Sequence, residues 1–179
     1  SGGRFGAMSR MELEFAWPLL SATAEYLKLF AEQSLQFDLR PWGVVAANLR
    51  LGGIEPLGDQ VTDDDGFPAL PTASIPIVKR FFGGGRTTHR AYERDLLGIV
   101  GRTLNLEGEP TGGNGLLLLN LEYRAPVAGS VEALAFLDAG NVWADWRDIE
   151  LESIRFGAGI GARYLSPIGP LRLEMGWKL

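Results

Sequence analysis

The chain offers little that could make or break a covalent bond. Gly83-Gly84-Gly85-Arg86-Thr87-Thr88 is glycine-rich but lacks the Gly-Lys-Ser/Thr ending of a phosphate loop. Asp63-Asp64-Asp65-Gly66 fails the calcium-loop pattern, since Val61 stands where an aspartate is needed, and reads as a solvated acidic loop tip. His89 is the sole histidine, which excludes the usual multi-histidine metal site. Cysteine is absent, so there is neither a thiolate ligand nor a disulfide framework. Serine, histidine and aspartate all occur, but no Gly-x-Ser-x-Gly elbow does. The expectation is a protein with no catalytic residue, no cofactor and no metal. What remains is electrostatic: the run Arg80–Tyr92, RFFGGGRTTHRAY, is a glycine-rich, non-periodic loop that carries arginines.

The elements that must position this loop are strands. Successive strand residues point to opposite faces. Leu117, Leu119, Leu121, Tyr123 and Ala125 oppose Asn120, Glu122 and Arg124. Val131, Ala133, Ala135, Leu137 and Ala139 oppose Glu132, Leu134, Phe136 and Asp138. From Ile154 to Tyr164 apolar residues alternate with Arg155, Gly157, Gly159, Gly161 and Arg163, and from Leu171 to Leu179 with Arg172, Glu174, Gly176 and Lys178. The first third behaves alike over Phe5–Trp17, Leu27–Leu39 and Val45–Leu51, with Gln33 the one clear offender. Glu12, Glu14, Glu122 and Glu174 then share the polar faces.

This pattern predicts an all-β chain, an antiparallel meander of about seven strands. A soluble sandwich also alternates, but three features favour a transmembrane β-barrel. The strands are long compared with the ~5–6 residues usual in soluble sheets and reach the ~9–11 needed to cross a bilayer. Their polar faces are rich in charge and glycine. Aromatic residues gather at the ends of the apolar faces: Phe5, Trp17, Trp42, Tyr123, Trp143, Tyr164 and Trp177, as an interfacial girdle would place them. Connections also alternate in length. Those at Arg40-Pro41, Ala128-Gly129-Ser130 and Ser166–Pro170 are short, and those at Pro18–Thr23, Ile54–Gly115 and Val142–Ser153 are long, as periplasmic turns and external loops do.

Composition is compatible with that reading. The 179 residues are 46% apolar, so the chain is not disordered. A formal charge of -5 argues against a nucleic-acid partner. No apolar run reaches the ~20 residues of a membrane helix, so a bilayer must be crossed by strands. No signal peptide opens the chain. Seven strands with open edges would leave unpaired N–H and C=O groups in lipid, so the sequence is expected to be a piece of a larger polypeptide.

Four motifs point to a family. They are RFFGGGRTTHRAY (Arg80–Tyr92), GGNGLLLLNLEYRAP (Gly112–Pro126), FLDAGNVW (Phe136–Trp143) and GAGIGARYLSPIGPLRLEMGWKL (Gly157–Leu179). In order and spacing they resemble the C-terminal half of the BamA/TamA-type outer-membrane assembly barrels, the bacterial surface antigen family. The resemblance covers about Arg80 to Leu179; the first seventy residues match only in layout. It implies that residues 1–179 are a partial transmembrane β-barrel, strands nine to fifteen of sixteen. The other strands and the periplasmic POTRA domains would lie elsewhere in the full-length chain. It also implies that a loop at about 54–115 folds into the lumen, with Arg80, Phe81, Phe82, Gly83, Gly84 and Tyr92 as its motif. Ala91 stands where the family usually has glycine, so a close backbone approach there is expected to be relaxed.

The resemblance places Arg90 inside the barrel. A guanidinium in a partly dry lumen needs a bidentate carboxylate, and by parity Glu122 and Asp138 both face it. The alternative is an arginine solvated on a mobile loop. The implied function is insertion and folding of nascent β-barrel clients without ATP, through an unstable seam, a locally thinned bilayer and strand templating. The implied partners are outer-membrane lipids, nascent β-barrel proteins and accessory lipoproteins, in the bacterial outer membrane. Two other readings stay open: a polypeptide-secreting pore of a two-partner system, and the membrane anchor of a fused patatin-like lipase.

Overall fold

The computed structural model describes residues 4–17, 24–58, 72 and 74–179. The acidic stretch Asp63–Gly66 and the whole Pro18–Thr23 connection lie outside them. Seven strands run Arg4–Ala16 (β1), Tyr26–Asp38 (β2), Val44–Pro56 (β3), Gly115–Ala128 (β4), Val131–Trp143 (β5), Arg155–Ser166 (β6) and Gly169–Lys178 (β7). They form one antiparallel meander in chain order. No helix among the described residues is long and apolar enough to cross a membrane; the spanning elements are strands.

Register carries the alternation across the sheet. Leu121 lies opposite Ala47 on β3 and Leu137 on β5, while Asn120 lies opposite Asn48 and Asp138. The outer face therefore collects leucine and aromatic residues: Leu13, Leu29, Leu51, Leu121, Leu137, Phe156, Ile160 and Leu173 are all exposed. In water such a surface would be untenable; in lipid it is the solvent-facing side. Gln33, the residue out of pattern, is held on this face by Ser9, its register partner, whose hydroxyl donates to Gln33 Oε1 at 2.5 Å.

The buried core lies on the other face. Tyr26, Ile54, Leu116, Leu118 and Val142 pack there against Ile75, Phe81 and Leu97 of the β3–β4 connection. Its described residues 75–114 form a lining layer over this face. Two boundaries differ from expectation. β3 continues through Gly52-Gly53 to Pro56, because both glycines are covered, by Phe81 on the inner face and Trp146 on the outer. The last hairpin turns on Pro167-Ile168 alone, with Gly169 at φ 126° opening β7.

Candidate functional site

Arg90 lies across the inner face where β4 and β5 meet. Its Nε and Nη2 donate to Asp138 Oδ2 and Oδ1 at 3.0 and 2.8 Å, a two-pronged pair, and its Nη1 donates to Glu122 Oε2 at 2.5 Å. The backbone N–H of Arg90 adds a bond to Asp138 Oδ2 at 2.8 Å. The guanidinium stacks 3.7 Å over the Phe136 ring, which rests on Gly159 of β6. The Asp138 side chain is 0% exposed and that of Arg90 9%. Asn120 donates to Asp138 Oδ1 at 2.8 Å, and Arg172 donates to Glu122 Oε2 at 2.7 Å. Glu174, with which Arg172 also pairs, approaches Arg90 to 4.0 Å. The cluster is thus an ion network shared by the loop, β4, β5 and β7. Parity singled out the first two carboxylates; Arg172, Glu174 and Asn120 complete the arrangement.

The loop can present Arg90 because its own backbone is closed. Leu97 N–H donates to Gly83 O and Gly85 N–H to Tyr92 O, so residues 83–97 form an irregular hairpin. Gly84 and Gly85 have φ of 107° and 92°; a side chain on Gly84 would collide with the Glu93 carbonyl. Thr88 ties the turn by accepting from Gly84 N–H and donating to Gly84 O. Gly83 packs on Leu97 and Val142. Phe82 lies against Gly112, and Arg80 donates to Ile75 O and Thr111 O at 2.9 Å. The motif residues other than Phe81 therefore build the loop itself.

The loop sits on a floor of glycine. A Cβ at Gly157 would lie 2.5 Å from Ala91 Cβ and 2.7 Å from His89 Cε1; one at Gly176 would lie 2.9 Å from Arg90 O. Ala91 does not relax the approach, contrary to expectation: the bare backbone that permits it is supplied by β6 and β7. His89 is fully buried beside them, with Nε2 3.1 Å from Arg155 O and its ring edge-on to Tyr92 at 4.8 Å. Lys178 caps Tyr92 from β7 at 4.4 Å. Burial holds the His89 pKa below the ordinary histidine range, against the opposing bond to Arg155 O.

A second anchor holds the start of the loop to the opposite end of the sheet. Lys79 donates to Glu14 on β1 at 2.5 Å, and Tyr26 of β2 donates to the same oxygen at 2.7 Å. Lys28 donates to Lys79 O at 2.6 Å and stands 4.5 Å over the Phe81 ring. That ring fills the space left by Gly52. Between the anchors Arg50 and Asn120 donate to Thr87 O and Thr88 O, both at 2.5 Å. The connection is therefore a strap crossing the inner face from β1 to β7. Alternation puts Glu14 on this face, but nothing local pairs it with Lys79, sixty-five residues away.

The aromatic residues fall at two levels on the outer face. Trp42, Tyr123 and Tyr164 lie at the short-turn end, where Tyr123 donates its hydroxyl to Trp42 O. Trp17, stacked on Phe15, and Trp177 lie at the long-loop end. Trp143 departs from expectation. It has the outward parity but is only 2% exposed, covered by the β5–β6 connection, and its indole N–H donates to Ser153 Oγ. Trp146 of that connection takes the exposed position. Among the described residues no three histidine, aspartate or glutamate side chains converge as metal ligands.

Comparison with known proteins places this geometry. The Omp85 superfamily domain matches residues 4–179. The outer membrane protein assembly factor BamA of Neisseria meningitidis serogroup B is 27% identical over 140 residues, an alignment taking in 60% of this chain and 17% of that protein. The crystal structure of BamA from Haemophilus ducreyi lacking POTRA domains 1-3 superposes with a TM-score of 0.71 at 20% identity, over 97% of this chain and 35% of that one. At that identity the likeness is one of fold, and the chain spans a minor part of both relatives.

Proposed function

The chain belongs to the Omp85 superfamily, and on that premise we propose that it is the lumen-strapped part of a barrel that inserts and folds β-barrel clients in the outer membrane. The chain is an antiparallel segment of a BamA-like outer-membrane barrel; the assembly activity is our inference. The observation that carries it is the strap. Residues 75–114 cross the inner face and are held by buried ion pairs at one end and an exposed one at the other. Such a strap, together with the Arg172–Glu122 pair between β7 and β4, fixes the curvature of seven strands that otherwise pair only with their neighbours. The work is then mechanical and templating: a barrel wall of set curvature presents backbone edges on which a client strand can add.

In this reading Arg90, Glu122 and Asp138 form the loop-to-lumen tether and act on no substrate bond. The partners are client barrel proteins, POTRA domains of the full-length chain, accessory lipoproteins and lipid. Similarity to a protein named as an assembly factor supports this reading over secretion or enzyme anchoring. The test is depletion of the full-length protein in its host. Many β-barrel proteins should lose their folded, heat-modifiable form together. Loss of one exported polypeptide with barrels intact would make the chain part of a secretion pore, and loss of a lipase activity alone would make it an anchor.

A further inference from the structure

The connection between β5 and β6, residues 144–154, does not rise clear of the sheet. It folds back over the outer face, the face that elsewhere meets lipid. Trp146 lies on two outward-facing glycines that are register partners: its Cβ is 3.5 Å from where a Gly53 Cβ would stand, and its Cα 2.8 Å from that of Gly115. The Trp146 indole N–H donates to Glu55 Oε2 at 2.8 Å. Arg147 donates to Glu55 Oε1 at 2.8 Å and stacks 4.7 Å over the indole. At the other end of the segment Ser153 accepts from Asn141 through its carbonyl and from Trp143 through its hydroxyl, both at 2.7 Å. The segment is bolted to the outside of the wall through Trp146, Arg147 and Ser153.

Its far side interleaves apolar side chains with the exposed charges of Arg147, Glu150 and Glu152. Trp146 is 42% exposed, Ile149 36% and Leu151 79%. Directly along the strands lie Leu51, Leu119 and Phe156 of the lipid face, also exposed, so the two surfaces are continuous. The level can be worked out. Gly115 and Tyr123 share one face of β4; at ~3.3 Å per residue and a tilt of ~35–45°, Gly115 stands about 19–22 Å above Tyr123 along the membrane normal. An apolar band is ~25 Å tall, so with Tyr123 in the girdle at the short-turn end, Trp146 falls at the opposite interface. A tryptophan is favoured there, with its ring in the apolar boundary and its N–H satisfied. Charge does not bring the segment to the membrane: Asp145, Asp148, Glu150 and Glu152 outnumber Arg147 four to one.

We propose that residues 144–154 are a collar outside the barrel that seats in the outer leaflet, with Trp146, Ile149 and Leu151 in contact with lipid. The occupant of this face is the bilayer itself, because the face continues a surface already in lipid and carries Trp146 at the interfacial level. Seating is by apolar insertion, independent of headgroup charge.

The test uses the full-length protein, free of other cysteines, with Leu151→Cys carrying an NBD label, reconstituted in phosphatidylcholine vesicles. Leu49→Cys on the lipid face and Leu106→Cys on the strap of the inner face, 83% exposed, are the references. If the collar penetrates the ~5–10 Å typical of interfacial segments, iodide should quench position 151 on the order of fivefold less than position 106. Lipids brominated near the headgroup should quench it more than lipids brominated at the chain ends, the reverse of position 49. Iodide quenching equal to that of position 106, without quenching by either lipid, would overturn the proposal. Protection that disappears at about 0.5 M salt would show an electrostatic surface contact and would overturn it equally.

Discussion

Removing the Arg90 guanidinium should undock the loop, and the structure says where the cost falls. Glu122 keeps two cations after Arg90→Ala, Arg172 at 2.7 Å and Arg124 at 3.3 Å. Asp138, with no exposed side-chain surface, keeps only Asn120 and the backbone N–H of residue 90. A buried carboxylate stripped of its cation costs about 3–5 kcal/mol. The penalty is avoided if the loop lifts and lets water reach Asp138, so it appears as a lower free energy of opening. Hydrogen exchange reads this directly at the Gly85, Tyr92 and Leu97 amides, which are bonded only while the hairpin is closed. With 1.4 kcal/mol per decade, their exchange should speed up on the order of a hundredfold or more, provided the hairpin opens with the clamp. The strand amides should not change. Arg90→Met with Asp138→Asn removes both charges and keeps an apolar stem over Phe136; it should recover all but about tenfold of the lost protection. An Arg90→Ala effect below about fivefold would mean that the pair behaves like an exposed one. A double variant as open as the single would mean that stranded charge is not the cause. Either result would refute the reasoning.

Further consequences can be measured on the same loop. Gly157→Val should displace Ala91 and His89 and undock the hairpin with every ion-pair partner intact; a crystal structure or exchange data showing an unmoved loop would contradict the close packing. The neutral His89 ring donates from Nε2, and its Nδ1 has no hydrogen-bond partner among the described residues. Its folded pKa is depressed, so docking is at full strength above the unfolded value of about 6.5 and weakens as pH falls through it. Exchange at Tyr92 should accelerate between about pH 7.5 and 5.5 after correction for intrinsic rates, and His89→Phe should abolish that dependence. Lys79→Ala should loosen residues 77–82 while leaving the Arg90 clamp closed, which mobility of separate spin labels at the two ends would report; joint release would show the strap to be one cooperative unit.

Local alternation made the seven strands legible, because one face meets lipid and the other meets charge or loop, and period-two patterning survives wherever each face has one kind of neighbour. It failed where a face changed neighbours. β3 looked finished at Leu51 because Gly52, Gly53 and Glu55 break the pattern, yet Phe81, Trp146 and Arg147 cover them. Its position at the end of an apolar face makes Trp143 an expected girdle residue; its burial depends on a connection folding back over it, which no strand period encodes. Parity combined with the resemblance put Glu122 and Asp138 within reach of Arg90. The cations and carboxylates that complete the network, Arg172 and Glu174, were visible as inner-face residues of β7, but nothing local said that β7 curves far enough round to reach β4. Gly157 of β6 and Gly176 of β7 have their reason in Arg90 and Ala91, more than sixty residues earlier in the chain.

The most direct test of the account is client folding in vitro. Full-length protein in vesicles, offered a urea-denatured β-barrel client, should accelerate appearance of the heat-modifiable folded form by about tenfold or more over protein-free vesicles, a barrier change of at least about 1.4 kcal/mol. Arg90→Ala should lose most of that acceleration and the Arg90→Met, Asp138→Asn double variant should regain it. No acceleration by the wild-type protein, or an acceleration untouched by Arg90→Ala when exchange shows the loop undocked, would contradict the claim that this strapped barrel wall assembles other barrels.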